Sequence, residues 1–197
     1  LINQILDHAK IEAGKTELEY RPTDLYQLIE DIISIIYVQR NDKGLQFDVT
    51  LTEDVPQYVI TDSLRLRQVL MNLMTNAVKF TEKGSVNMNI ETMGFDDEFA
   101  DLKFSVIDTG IGIEKEKLKN IFNSFIQADG STTRKYGGTG LGTTISKQLV
   151  ELMGGEMSVE SKIGTGTTFW FTLSMEITGP VIENPEELEI NEDIQYV

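Results

Sequence analysis

The sequence predicts an α/β domain built as a two-layer sandwich, with helices covering one face of a mixed β-sheet. Three observations carry that expectation. Some segments repeat apolar residues at helical spacing, as at Leu66, Val69, Leu70, Leu73, Ala77 and Phe80. Others alternate apolar with polar residues, as at Val86, Met88 and Ile90 or at Leu102, Phe104 and Val106, which marks strands buried on one side. The two kinds interleave along 197 residues that are 40% hydrophobic, enough for one core with short appendages.

Taken in order, residues 1 to 13 read as the end of a helix, with Ile2, Ile5, Leu6 and Ala9 on one face and Gly14 as its C-terminal cap. Thr16 to Arg21 reads as extended. Pro22, Thr23 and Asp24 predict a helix start, and Leu25, Leu28, Ile29, Ile32 and Ile36 keep its spacing until the break at Asn41–Gly44. A strand follows around Leu45–Leu51. Asp62 is placed to cap the helix that carries the long apolar stripe, and Gly84 to end it. Two strands joined by the acidic turn Gly94–Asp101 come next, then a helix start near Glu114. A Gly/Ser/Thr stretch, about 127 to 142, leads into a helix from Thr143 to Met153. Gly154–Gly155 stops it, and strands near 156–161 and 167–173 finish the sheet. From Glu176 onward there are seven acidic residues, no basic ones and two prolines, the composition of a flexible linker. The division expected is thus 1–14 for the helix end, 15–175 for the domain and 176–197 for an acidic tail. Because helical pattern is already under way at Leu1, the chain is read as a piece of a larger protein.

Composition excludes several functions. With no cysteine and one histidine, there is no disulfide, thiolate metal site, thiol nucleophile or histidine-rich metal cluster. A reducing, cytoplasmic setting fits. Seventeen basic residues against 32 acidic ones give a formal charge of −15, which opposes binding to nucleic acid or anionic membrane. An anionic small ligand requires local positive charge instead. Only one long stretch offers it: Gly130 to Val150 has no Asp or Glu but holds Arg134, Lys135 and Lys147, and it is also glycine-rich.

Four short segments carry possible chemistry. On the helix Asn72-Leu-Met-Thr-Asn76-Ala-Val-Lys79-Phe80, two amides and an ammonium share a face. An amide oxygen suits Mg²⁺ and an ammonium suits phosphate, although a plain polar outer face has the same pattern. Asp108-Thr-Gly110-Ile-Gly112-Ile113 follows a strand, where a carboxylate can accept from an exocyclic amine and glycines admit a flat ring; an ordinary turn is the alternative. Gly137 to Thr144 puts glycines with free amides at a helix start, which is either an anion site or a hinge. It lacks the Lys of a Walker loop, since Thr143 stands there, so a P-loop mechanism is rejected. Gly164-Thr-Gly166-Thr167 is a bend into the last strand.

In this order and spacing the segments resemble the N, G1, F, G2 and G3 boxes of the histidine kinase ATP-binding domain, a member of the Bergerat-fold superfamily with gyrase, MutL and heat-shock chaperone ATPases. Phe122-Asn-Ser-Phe125 is similar to the F box, and Gly138–Gly142 to G2. Asp62-Ser-Leu-Arg-Leu-Arg-Gln, Ser131-Thr-Thr-Arg-Lys-Tyr and Lys10-Ile-Glu-Ala-Gly14 are phrases typical of hybrid sensor kinases. The resemblance covers about residues 1 to 175. It implies Mg·ATP held between the N-box helix and a lid. Asp108 would accept from the adenine amine, Asn76 would hold Mg²⁺ with Asn72 beside it, and Lys79, Arg134 and Lys135 would face phosphates. Gly138, Thr139, Gly140, Leu141 and Gly142 would close over them, and Phe80, Gly110, Gly112, Ile113, Phe122, Phe125 and Thr167 would line the site. Two departures stand out: Asn123-Ser124 between the F-box aromatics, and Thr143 where many relatives have Leu.

The resemblance also implies a reaction. ATPase branches of the superfamily use a Glu one helical turn before the Mg-binding Asn, and Asn72 stands there, an amide without useful basicity. ATP should therefore await a histidine on a separate dimerisation hairpin, with onward relay to a response-regulator receiver domain and a homodimeric parent. His8 is followed by Ala9-Lys10 rather than the acidic residue of the family's acceptor, so it is read as solvated or helix-packing and the chain as supplying no nucleophile. A nucleotide-sensing domain without transfer and a gyrase-type ATPase are the competing functions.

Overall fold

The computed structural model describes residues 9–40, 44–123 and 141–179. Its elements are β1 (Arg21–Asp24), α1 (Leu25–Arg40), β2 (Gln46–Leu51), β3 (Tyr58–Thr61), α2 (Ser63–Phe80), β4 (Ser85–Phe95), β5 (Phe99–Asp108), α3 (Lys115–Leu118), α4 (Gly142–Leu152), β6 (Glu156–Lys162) and β7 (Gly166–Ile177). The strands form one sheet in the order β1-β3-β7-β5-β4-β2, with β6 also paired to β7. Among the described residues only β2 and β4 run parallel; the other pairs are antiparallel, so the sheet is mixed as expected. β7 is long enough to serve two neighbours along one edge: β6 takes Gly166–Thr172, and β3 takes Glu176 and Ile177.

One face of this sheet carries the core. Along β5, Ala100, Leu102, Phe104 and Val106 are buried at every second position, as the pleat requires. α2 lays Leu66, Val69, Leu70, Leu73, Met74, Ala77 and Val78 on that face, and α4 adds Ile145, Leu149 and Val150. Phe104 stacks on Phe171 of β7 with centroids 4.8 Å apart. Each fully buried side chain of this size contributes about 1.5–3 kcal/mol. α1 joins the same layer through Leu25, Leu28, Ile29, Ile32 and Ile36 and is tied to α2 by Arg67, whose Nη2 lies 2.8 Å from Asp31 Oδ2. Among the described residues no helix is long and apolar enough to cross a membrane.

Asp62 caps α2 as its sequence position implies: Oδ1 accepts the Arg65 N–H at 3.0 Å, while Oδ2 accepts from Glu19 N–H, also at 3.0 Å. Several boundaries differ from expectation. Pro22 and Thr23 belong to β1 rather than to a helix start; α1 begins at Leu25, with Asp24 Oδ1 accepting from Gln27 N–H. β1 is an edge strand, where proline's missing N–H costs no ladder bond. The four-residue β3 was not anticipated. α2 ends at Phe80 with Thr81 as C-cap, before Gly84. The acidic turn is only residues 96–98, because β4 and β5 run on to Phe95 and back from Phe99, and Asp96 Oδ1 accepts from both Glu98 and Phe99 N–H.

Candidate functional site

The alternation that buries Leu102, Phe104 and Val106 continues to the last residue of β5. Asp108 therefore falls on the core face and is 8% exposed. Its Oδ1 accepts the Gly110 N–H at 2.8 Å. Burial pushes its carboxyl above the usual range, against the lowering effect of the Gly110 and Thr167 backbone N–H groups. A carboxylate has about four lone-pair positions, so acceptor capacity remains for a ligand.

The turn after Asp108 presses against its neighbours. A Cβ on Gly110 would stand 2.4 Å from the Phe80 carbonyl oxygen, and Ile111 N–H donates to that same oxygen at 3.3 Å. The C-terminal end of α2 and the Asp108 turn are thus in contact. Gly112, with φ +71°, would bring a Cβ within 2.2 Å of the Lys162 carbonyl oxygen. Gly166, with φ +130°, would bring one within 1.9 Å of the Asp108 carbonyl oxygen. These two glycines are demanded by the chain's own backbone before any ligand is considered.

Ser161 of β6 joins the pieces, and no sequence signal marked it. Its Oγ accepts the Ile113 N–H at 2.8 Å and donates to the Gly166 carbonyl at 2.9 Å. Having spent its hydrogen there, it accepts from the Thr167 hydroxyl at 2.9 Å. The Asp108 turn and the β6–β7 turn are held together through this side chain and through Gly164 N–H, which donates to the Ile111 carbonyl at 2.9 Å. Thr167 is itself 5% exposed, paired across the ladder with Asp108.

On α2, Asn72, Asn76, Lys79 and Phe80 flank the buried stripe and are half-buried, unlike the solvated outer face that the sequence left open. Burial lowers the Lys79 pKa, and its Nζ lies 4.9 Å from the Phe80 ring centre. α4 meets this flank at its first residue: the space a Cβ on Gly142 would take is filled by the Asn72 amide, 2.2 Å away at Oδ1. Leu141 is a core side chain, 1% exposed, so only its backbone is available to a ligand. Thr143, the residue departing from the family pattern, donates from Oγ1 to the Ile121 carbonyl at 2.9 Å. Phe122 packs edge-on against Phe169 with centroids 6.3 Å apart and has Lys147 Nζ 4.9 Å from its ring centre. Lys147, which the local charge count left available, also lies 3.6 Å from Glu151.

Of the residues singled out from sequence, Asn72, Asn76, Lys79, Phe80, Asp108, Gly110, Gly112, Ile113, Phe122, Leu141, Gly142 and Thr167 are described; they lie on the second half of α2, on the ends of β5, β7 and α4 and on the segments beside them. Phe125, Arg134, Lys135, Gly138, Thr139, Gly140 and His8 lie outside the described residues. Among the described residues no three His, Cys, Asp or Glu side chains cluster as a metal site. A surface concavity of about 310 Å³ at the β4–β5 tip, lined by Asp97, Glu98, Phe99, Glu176 and Ile177, carries three carboxylates and no cation and would repel an anion.

A mixed sheet covered on one face, a buried carboxylate closing its central strand and glycine turns at the same end set the fold class and the candidate site. The chain belongs to the family of histidine kinase-, DNA gyrase B- and HSP90-like ATPases, which matches residues 61–177. Among individual relatives it is 39% identical over 186 residues to the signal transduction histidine-protein kinase BarA of Escherichia coli strain K12, covering 94% of this chain and 20% of BarA. It is 43% identical over 175 residues to the sensor protein GacS of Pseudomonas syringae pv. syringae, covering 89% of this chain and 19% of GacS. The chain thus spans about a fifth of these relatives. Among solved structures, full-length ShkA in complex with AMPPNP is similar with a TM-score of 0.78 at 31% identity, covering 91% of this chain and 36% of ShkA. The nucleotide-free catalytic domain of the histidine kinase ThkA is similar with a TM-score of 0.66 at 26% identity, covering 79% of this chain and 95% of that domain.

Proposed function

We propose that this domain binds Mg·ATP and transfers its γ-phosphate to a histidine on a dimerisation hairpin of the parent protein, for relay to a receiver-domain aspartate. One observation carries the nucleotide assignment: Asp108 is a buried carboxylate with acceptor capacity left over, at the junction of α2, the glycine turn and β7. Such a group recognises an exocyclic amine, and the half-buried Lys79 supplies a cation for phosphate on the adjacent helix flank.

The donor set suits magnesium. Asn76 offers a hard amide oxygen on the half-buried flank, and Mg²⁺ takes few protein ligands because it keeps waters and phosphate oxygens around it. When bound, Mg²⁺ neutralises charge on the phosphates. The chain's part is to position: Asp108 fixes the purine, and Lys79 the phosphates. Arg134 and Lys135, with the amides of Gly138–Gly142, are proposed to close over them. Phosphoryl transfer asks little covalent chemistry of the protein, so this placement and charge compensation are the catalytic contribution.

Asn72 supports transfer over hydrolysis. It stands where a water-activating carboxylate would be needed, and its amide donates to Ser146 at 2.9 Å. ATP should persist until an imidazole attacks in line. The test is incubation with labelled Mg·ATP and the parent's hairpin: label should appear on the hairpin histidine, with little free phosphate released without it. Rapid steady-state phosphate release in the hairpin's absence would point to a gyrase-type ATPase instead, and nucleotide binding with no transfer to a sensing domain.

A further inference from the structure

We infer that Ser146 is a positioning residue for this nucleotide site: it fixes which end of the Asn72 amide faces α4, and Gly142 is glycine because that amide occupies the space of its side chain. The inference rests on the nucleotide reading above but makes a separate claim about the chain's own geometry.

Asn72 lies on α2 and Ser146 on α4, 74 residues apart, with Asn72 Nδ2 donating to Ser146 Oγ at 2.9 Å. Ser146 is 1% exposed, so its hydroxyl has no solvent in which to turn away. The three atoms nearest to a Cβ built on Gly142 are all from Asn72: Oδ1 at 2.2 Å, Cγ at 3.0 Å and Nδ2 at 3.2 Å. Gly142 is absent from the left-handed glycines, so backbone conformation is not what requires it. An Asn side chain could swing away from an added methyl, but only by giving up Ser146. The two contacts are therefore one device.

Its chemical effect is a choice of polarity. With Nδ2 committed to Ser146, the Asn72 acceptor oxygen is turned toward the first residue of α4, the helix end where phosphate is expected. An acceptor beside phosphate is favourable only with a cation between them. Ser146 thus makes Asn72 an oxygen for hydrated magnesium and withdraws its N–H groups from the phosphate. Without the hydroxyl the amide loses its partner and is free to reverse.

The test measures AMP-PNP affinity with and without Mg²⁺, the Asn72 side-chain amide resonances and thermal stability, in wild type, Ser146→Ala, Ser146→Thr, Gly142→Ala and Asn72→Ala/Gly142→Ala. Ser146→Ala should shift the amide resonances and cut the Mg²⁺-dependent gain in affinity about fivefold, the scale of one hydrogen bond, with less than about a twofold change without metal. Ser146→Thr should restore the gain. Gly142→Ala should behave like Ser146→Ala, and its thermal penalty should largely vanish once Asn72 is Ala. Unmoved resonances in Ser146→Ala, equal losses with and without Mg²⁺, or an undiminished Gly142→Ala penalty in the double variant would each overturn the inference. A wild type that binds no nucleotide would overturn the function proposed above, while the resonances and the thermal cycle would still decide whether Asn72 is locked.

Discussion

Replacing Asp108 with Asn changes the recognition group by one atom and leaves its volume intact. In the native chain the carboxylate is 8% exposed, takes the Gly110 N–H at 2.8 Å and keeps further lone pairs for a ligand. In the variant the amide oxygen still serves Gly110, but the other position becomes a donor facing the ligand's amine. The loss is a hydrogen bond to a charged group, about 1.5–3 kcal/mol, or roughly ten- to 150-fold in ATP affinity. Inosine triphosphate carries an oxygen where adenine carries its amine, so the variant should lose little or gain for that nucleotide. Calorimetric titration with both nucleotides reads this as a narrowed or inverted preference. The fold should not suffer from removing the charge. Burial raises the folded pKa of Asp108 above 3.8, so its ionised form costs stability at pH above the raised value, and that cost is relieved as pH falls. An equal fall for both nucleotides, or no fall for ATP, would refute Asp108 as the purine reader.

Three further substitutions probe the supports. Thr143→Val should lose about 0.5–1.5 kcal/mol of unfolding free energy through the Ile121 carbonyl, and Thr143→Ser should keep most of it; a loss in Thr143→Ser with none in Thr143→Val would mean the methyl matters instead. Gly112→Ala forces a Cβ toward the Lys162 carbonyl at φ +71° and should cost at least about 1–3 kcal/mol, checked by chemical denaturation; a change within about 0.5 kcal/mol would be incompatible with the turn described. Burial lowers the Lys79 pKa, and a bound phosphate would raise it again, so nucleotide affinity should decline as pH rises through the lowered free value toward the bound one. Lys79→Met should flatten that alkaline profile, and an unchanged slope would remove Lys79 from the phosphate site.

The long elements were legible because their periodicity is long. α2 shows its stripe over 18 residues, β4 alternates from Ser85 to Ile90 and β5 over its 10 residues, so even the burial of Asp108 follows from counting by twos. β3, with Tyr58-Val-Ile-Thr61, is too short for a pattern and is defined by partners far away, β1 and β7. Pro22 misled because proline suits both a helix's first turn and an edge strand, and only pairing to Ile60 decides. The candidate site was legible where special residue types carry it: the glycines at 110, 112 and 166, the amides on α2 and the carboxylate at 108. Ser146 and Ser161 were invisible, since a hydroxyl has no periodic signature and each acts on residues remote in the sequence or across a turn. The sequence marks Gly142 only as one of several glycines whose amides suit an anion; that the space of its side chain is filled by Asn72, 70 positions earlier, has no sequence signal.

The most direct measurement is an amide-resonance titration of the domain with Mg·AMP-PNP. A nucleotide held between α2 and the glycine turns predicts saturable shifts at Asn76, Lys79, Asp108, Gly110, Gly112, Gly142 and Thr167, with the β4–β5 tip at Asp97 and Glu98 unmoved. Titration without metal should lose most of the shift at Asn76 while keeping that at Gly110. Saturable shifts confined to other surfaces, or none at millimolar nucleotide, would contradict a Mg·ATP site at this end of the sheet.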